Sequence, residues 1–146
     1  MNAIENVMYK GRLLAIIMRS NAFNELKSSE KNVSFHTPEH FPFQLGIHTR
    51  LKSDSVSPHF HNAIPELKNL TVQEFFYVKS GKVKIDLHVE FENDAKVSEV
   101  IVEEGDMVLL NTGHGLTFLE NTELIELKQG PYRGRNLEKR FIGGQQ

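Results

Sequence analysis

A chain of 146 residues with 39% hydrophobic and 25% charged side chains has the length of one domain and a globular composition, neither disordered nor membranous. Its 17 basic and 19 acidic residues leave a formal charge of −2, which argues against a mainly electrostatic nucleic-acid binder. With no cysteine, it cannot build a disulfide framework, a thiol nucleophile or a thiolate-bound zinc or iron–sulfur centre.

The pattern along the chain is β nearly throughout. Val7-Met8-Tyr9 and Leu13 to Met18 flank Lys10-Gly11-Arg12 and predict a hairpin over residues 6–19. The apolar run Leu13 to Met18 is closed by Arg19 and is too short for a signal core. No run approaches the ~20 apolar residues of a membrane span. We therefore expect a soluble, cytoplasmic protein. Asn24 to Asn32 reads as a loop or a short helical turn.

Gln44 to Leu51 alternates, with Leu45, Ile47 and Leu51 on one face and Gln44, His48 and Arg50 on the other. Val56 to Phe60 is a short strand, and Gln73 to Val78 is a β-rich run ended by the turn Ser80-Gly81-Lys82. Lys82 to Glu90 follows with strict period 2: Val83, Ile85, Leu87 and Val89 face one way, and Lys84, Asp86, His88 and Glu90 the other. Val97 to Val102, Met107 to Leu110, Leu116 to Leu119 and Leu124 to Leu127 complete the series. This spacing of short strands predicts an all-β sandwich or barrel in a single domain, residues 1–146. Its core spans about residues 42–128, and the Gly- and Arg-rich residues 129–146 form a loop tail.

Three features carry chemistry. His59-Phe60-His61 places two imidazoles on one face of an extended segment, where both can reach one metal. Glu74 is an acid inside an apolar strand, on the face of Phe76 and Val78, where a carboxylate is costly unless paired or coordinated. His114 stands between Gly113 and Gly115, just before a strand. Each has a plain reading by itself: a solvated histidine face, a rim ion pair, a turn residue. Together, and with six residues between Glu74 and Gly81, they form a pattern.

That pattern resembles the cupin superfamily: H-x-H, then Glu, then Gly, and some strands later two glycines and a last histidine. His59, His61, Glu74 and Gly81 match the first part, Gly105 and Gly113 the second, over roughly Gln44 to Lys128. Ser53 stands in place of a leading glycine, Asn111 in place of a proline and Leu116 in place of the histidine. His114 lies two positions earlier and, in a strand, keeps the same face. Twelve residues separate His61 from Glu74, a longer gap than usual, which predicts a long hairpin loop.

The resemblance implies a cupin-type jelly-roll β-barrel (double-stranded β-helix) with one divalent transition metal (Fe, Mn, Ni, Zn or Cu) on His59, His61, Glu74 and His114. A closer resemblance is to small cupins encoded near surface-polysaccharide and sugar-nucleotide genes. It rests on Phe35-His36-Thr37-Pro38, His61 to Pro65, Gln73-Glu74, Lys79 to Val83, Gly113-His114-Gly115 and Lys128 to Tyr132. This implies a small polar ligand such as a sugar or sugar nucleotide.

Three roles follow: a metal-dependent enzyme or binder, a metal-free nucleotide-sugar ketoisomerase or epimerase with His59 or His61 as base, or a non-catalytic sensor. Gln44, His48 and Arg50 either border the cavity and orient a ligand or form a solvated outer face. His88 is expected to face solvent or a subunit contact, with His36 and His40 in a loop. By the same resemblance a homodimer is expected, with Leu13, Ile16 and Ile17 of the hairpin at its contact. We expect neither nucleic acid nor membrane as partner.

Overall fold

The computed structural model describes residues 2–68 and 70–144. A hairpin of β1 (Ile4–Tyr9) and β2 (Arg12–Met18) turns at Lys10 and Gly11, both left-handed with φ of 46° and 76°. A short helix, α1 (Ala22–Lys27), follows. Two antiparallel five-stranded sheets then face one another. The first runs β3 (Val33–Phe35), β4 (Phe43–Arg50), β11 (Thr122–Gln129), β6 (Glu74–Ser80), β9 (Met107–Leu110). The second runs β12 (Lys139–Phe141), β5 (Ser55–His61), β10 (Gly113–Phe118), β7 (Lys82–Val89), β8 (Ala95–Glu103).

Alternation along these strands sends one set of side chains between the sheets. Phe76, Val78, Val83, Ile85, Leu110, Leu116, Phe118 and Leu124 form the main core there. Ile47 points out of the first sheet and packs with Ala3, Phe23 and Leu26 in a second, smaller core beneath α1. Glu123 ties this layer down: its carboxylate pairs with Lys27 of α1 and, at 2.6 Å, with Lys79 of β6. At Gly81, between β6 and β7, φ is 96°, and a Cβ there would run into the Asn121 carbonyl and Thr122.

The hairpin and most of the strands stand where the residue pattern places them, whereas α1 begins two residues before Asn24 and ends at Lys27, and β3 has no counterpart in that pattern. Three expectations need correction. Residues 129–146 are not a plain loop, because the tail contains α2 (Arg135–Glu138) and β12, which pairs with β5 through Lys139↔His61 and Phe141↔His59. Three residues are too few for a period-2 signal; the strand exists because β5 offers an open ladder. The connection from β5 to β6 is not a hairpin loop, since these strands belong to opposite sheets. Nor does His88 face solvent. The β7–β8 ladder slips between Leu87 and His88, leaving His88 8% exposed with its Nδ1 on the Asp94 carbonyl at 2.8 Å. No helix among the described residues is long and apolar enough to cross a membrane.

Candidate metal centre

β5, β6 and β10 bring four donors together inside the barrel. His59 pairs with His114 across the β5–β10 ladder, and His61, two residues on, keeps the same face. Glu74 opens β6 on the opposite sheet and reaches across to them. One ligand atom from each of His59, His61, Glu74 and His114 lies within 4.8 Å of all the others. His114 is thus the second residue of a strand, not a turn residue.

Hydrogen bonds set the imidazoles. The Nδ1 of His59 bonds to the Ser57 carbonyl at 2.8 Å, and that of His114 to the Thr112 carbonyl at 2.8 Å. Each ring therefore turns Nε2 toward the cluster as a potential electron-pair donor. Glu74 Oε2 lies 3.1 Å from His114 Nε2, and Oε1 lies 2.8 Å from His61 Nε2.

Burial, helped by the charges of Lys139 and His114, lowers the His59 pKa to about 3, so this ring is neutral at ordinary pH. Burial alone would raise Glu74, but His61 and His114 pull it well below the usual carboxylate range. Burial would lower His114, yet its bond to Glu74 raises it.

The residues fit a metal. His59 Nε2 and His61 Nδ1 are buried without a hydrogen-bond partner, while His61 Nε2 meets only the Glu74 carboxylate. Unpartnered buried nitrogens are costly, and a cation at their centre would satisfy them. Three imidazoles with one carboxylate suit first-row divalent ions and do not select among them.

Beside the cluster lies a chamber of about 120 Å³, walled by Val56, Phe76, Leu116, Glu126, Lys128 and Lys139 along with His59, Glu74 and His114. An outer cavity of about 620 Å³ shares Val33, Phe35, Lys128 and Lys139 with it and extends beneath the tail to Tyr132, Arg135 and Phe141.

The polar face of β4 turns inward, so its solvated alternative falls. Gln44 stands at the mouth, where its amide holds the Thr37 hydroxyl and the Pro38 and Phe41 carbonyls. His48 contacts Glu126 at 3.2 Å and accepts from Arg50 Nε at 3.2 Å. Sequence reasoning missed Glu126, Lys128, Glu138 and Lys139. For the first two the signal was present: Leu124, Glu126 and Lys128 share one face of β11, and all three are buried. Glu138 and Lys139 sit in the tail, where no periodic pattern marks them.

No family model matches the sequence, and no curated protein matches it. Solved structures do. A cupin superfamily protein from Desulfitobacterium hafniense covers 86% of this chain and 96% of its own at 10% identity and a TM-score of 0.53. KdgF from Halomonas sp. covers 69% and 78% at 18% identity and a TM-score of 0.51. An oxalate decarboxylase variant from B. subtilis matches 75% of this chain, at 16% identity and a TM-score of 0.57, over 28% of its own longer chain. At these identities the likeness is one of fold: the chain folds as a jelly-roll barrel of the cupin type.

Proposed function

We propose that this chain holds one divalent transition metal on His59, His61, Glu74 and His114 and binds or acts on a small polar molecule, a sugar or sugar nucleotide. The observation that carries the metal reading is the convergence of four buried donors, two of them with Nδ1 anchored on backbone carbonyls. Oxalate decarboxylase of Bacillus subtilis, which shares the fold, contains Mn(II) centres. A bound metal supplies Lewis acidity toward a ligand oxygen.

The chain's own residues shape the ligand class. The inner chamber, at about 120 Å³, is well below the usual size of a small-molecule site and takes the end of a ligand only. The outer cavity lies in the usual range for small-molecule sites, roughly 300–1,000 Å³. There Phe35, Tyr132 and Phe141 offer faces for stacking, while Lys128, Arg135 and Lys139 offer cations for phosphate. The Lys128 ammonium already lies 4.8 Å from the Phe35 ring centre. Thermal shift with sugars, sugar nucleotides and inorganic diphosphate, with and without metal, tests this class. Stabilisation by sugar nucleotides that Lys128→Met weakens is expected; no response from any of them would contradict it.

One observation favours a metal-free reading: His48 and Glu126 form a second imidazole–carboxylate pair on the chamber wall. Proton transfer at a sugar carbon could use such a pair without a metal. Isomerase turnover by metal-stripped protein would support it. The exposed Val7, Met8, Tyr9 and Leu14 of the hairpin support a homodimer contact. Light scattering should give twice the chain mass, and a monomer mass would refute it.

A further inference from the structure

The three imidazoles are not equally anchored. His59 and His114 each bond through Nδ1 to the carbonyl of the residue two positions earlier. His61 does not: its Nδ1 is buried, bonds to nothing, and faces Glu138 Oε1 at 3.8 Å. That carboxylate is itself nearly enclosed, with 12% of its side chain exposed, and the same oxygen takes Lys128 Nζ at 2.7 Å.

The tail fixes this placement through its backbone. The Asn62 N–H donates to the Glu138 carbonyl at 3.0 Å, and the Asn62 side-chain amide donates to the Leu137 carbonyl at 3.0 Å. Lys139 then pairs with His61 in the β5–β12 ladder. Glu138 is thus held beside His61 by main-chain bonds that do not depend on its carboxylate.

We propose that Glu138 is the positioning carboxylate for His61, accepting its Nδ1–H so that Nε2 is held as a donor, and that the C-terminal segment thereby completes the metal centre. The inference rests on the metal reading above. A ligating imidazole whose other nitrogen is free can rotate and exchange tautomers, and a carboxylate on that nitrogen stops both. A hydrogen bond of about 2.9 Å requires the His61 and Glu138 side chains to close the present 3.8 Å.

The test uses full-length protein loaded with Co(II) and proton NMR in water. Each cobalt-bound imidazole with an anchored Nδ1–H gives one strongly shifted exchangeable signal, so the wild type should show three. Glu138→Ala should lose one of them to fast exchange and bind Co(II) about tenfold more weakly or worse. Glu138→Gln keeps an oxygen acceptor and should restore the third signal, exchanging faster than in wild type. Three signals and unchanged affinity in Glu138→Ala would overturn the proposal. If that variant does not fold, wild-type exchange and affinity in Glu138→Gln overturn it instead. Wild-type protein that gives no shifted signals would refute the metal reading itself, and this proposal with it.

Discussion

His59 and His114 face each other across two antiparallel strands with their rings 4.8 Å apart, and each is locked by the carbonyl two residues before it. The second imidazole is therefore set by the same local device as the first, although it comes from a distant part of the sequence. Strand register does the rest. Gly113, beside His114, faces Phe60, which stands between the two histidines of β5 but points the other way.

This arrangement predicts a metal-dependent gain in stability. A divalent ion at about one hundred times its Kd should stabilise the fold by about 2.7 kcal/mol, raising Tm by roughly 5–10 °C for a chain of this size. Glu74→Ala should flatten the response, because the one carboxylate of the donor set is gone. Differential scanning fluorimetry across Mn(II), Co(II), Ni(II) and Zn(II) checks it. An equal rise in wild type and variant would count against Glu74 as a ligand.

Gly113 should not tolerate a side chain. A Cβ there would overlap the edge of the Phe60 ring, which Arg140 covers on its other approach at 4.6 Å. Gly113→Ala is expected to cost about 1–3 kcal/mol through overpacking, with a loss of metal affinity as His114 shifts. Adding Phe60→Leu should return part of both losses. Denaturant melts and metal titrations of the two single variants and the double one measure the coupling.

Much of this could be read from the residues. Period 2 in Lys82 to Glu90 and the glycine turns at Gly11 and Gly81 mark strands and turns clearly enough to suggest a sandwich or barrel. The H-x-H face and the apolar setting of Glu74 mark two strands of the site. What stayed hidden depends on tertiary contact. β12 is a strand only because β5 has an open edge, so Glu138 and Lys139 carry no local mark. His88 is buried by a slip in the ladder that period 2 does not foresee. Gln44 lines the outer cavity, but the hydrogen bonds from its amide nitrogen to the loop carbonyls of Pro38 and Phe41 depend on tertiary contact and carry no local mark.

The Glu123 ion pairs predict an acid-sensitive link between α1 and the barrel. Burial works to raise the Glu123 pKa, but Lys27 and Lys79 bring it below the usual carboxylate value. A carboxylate depressed in the folded state stabilises above its unfolded pKa, near 4.5, and loses that contribution as pH falls through the folded value. Glu123→Gln should therefore cost about 1 kcal/mol at pH near 7, and the difference should fade well below pH 4.5. Urea melts of both proteins at the two pH values test this; a pH-independent difference would point to packing instead.

Whether His59, His61, Glu74 and His114 hold one metal ion is read by elemental analysis of untagged protein, with His59→Ala alongside. The wild type should carry close to one equivalent of a first-row divalent metal and the variant a trace. No metal in the wild type, even after reconstitution, would contradict a metal site on these residues.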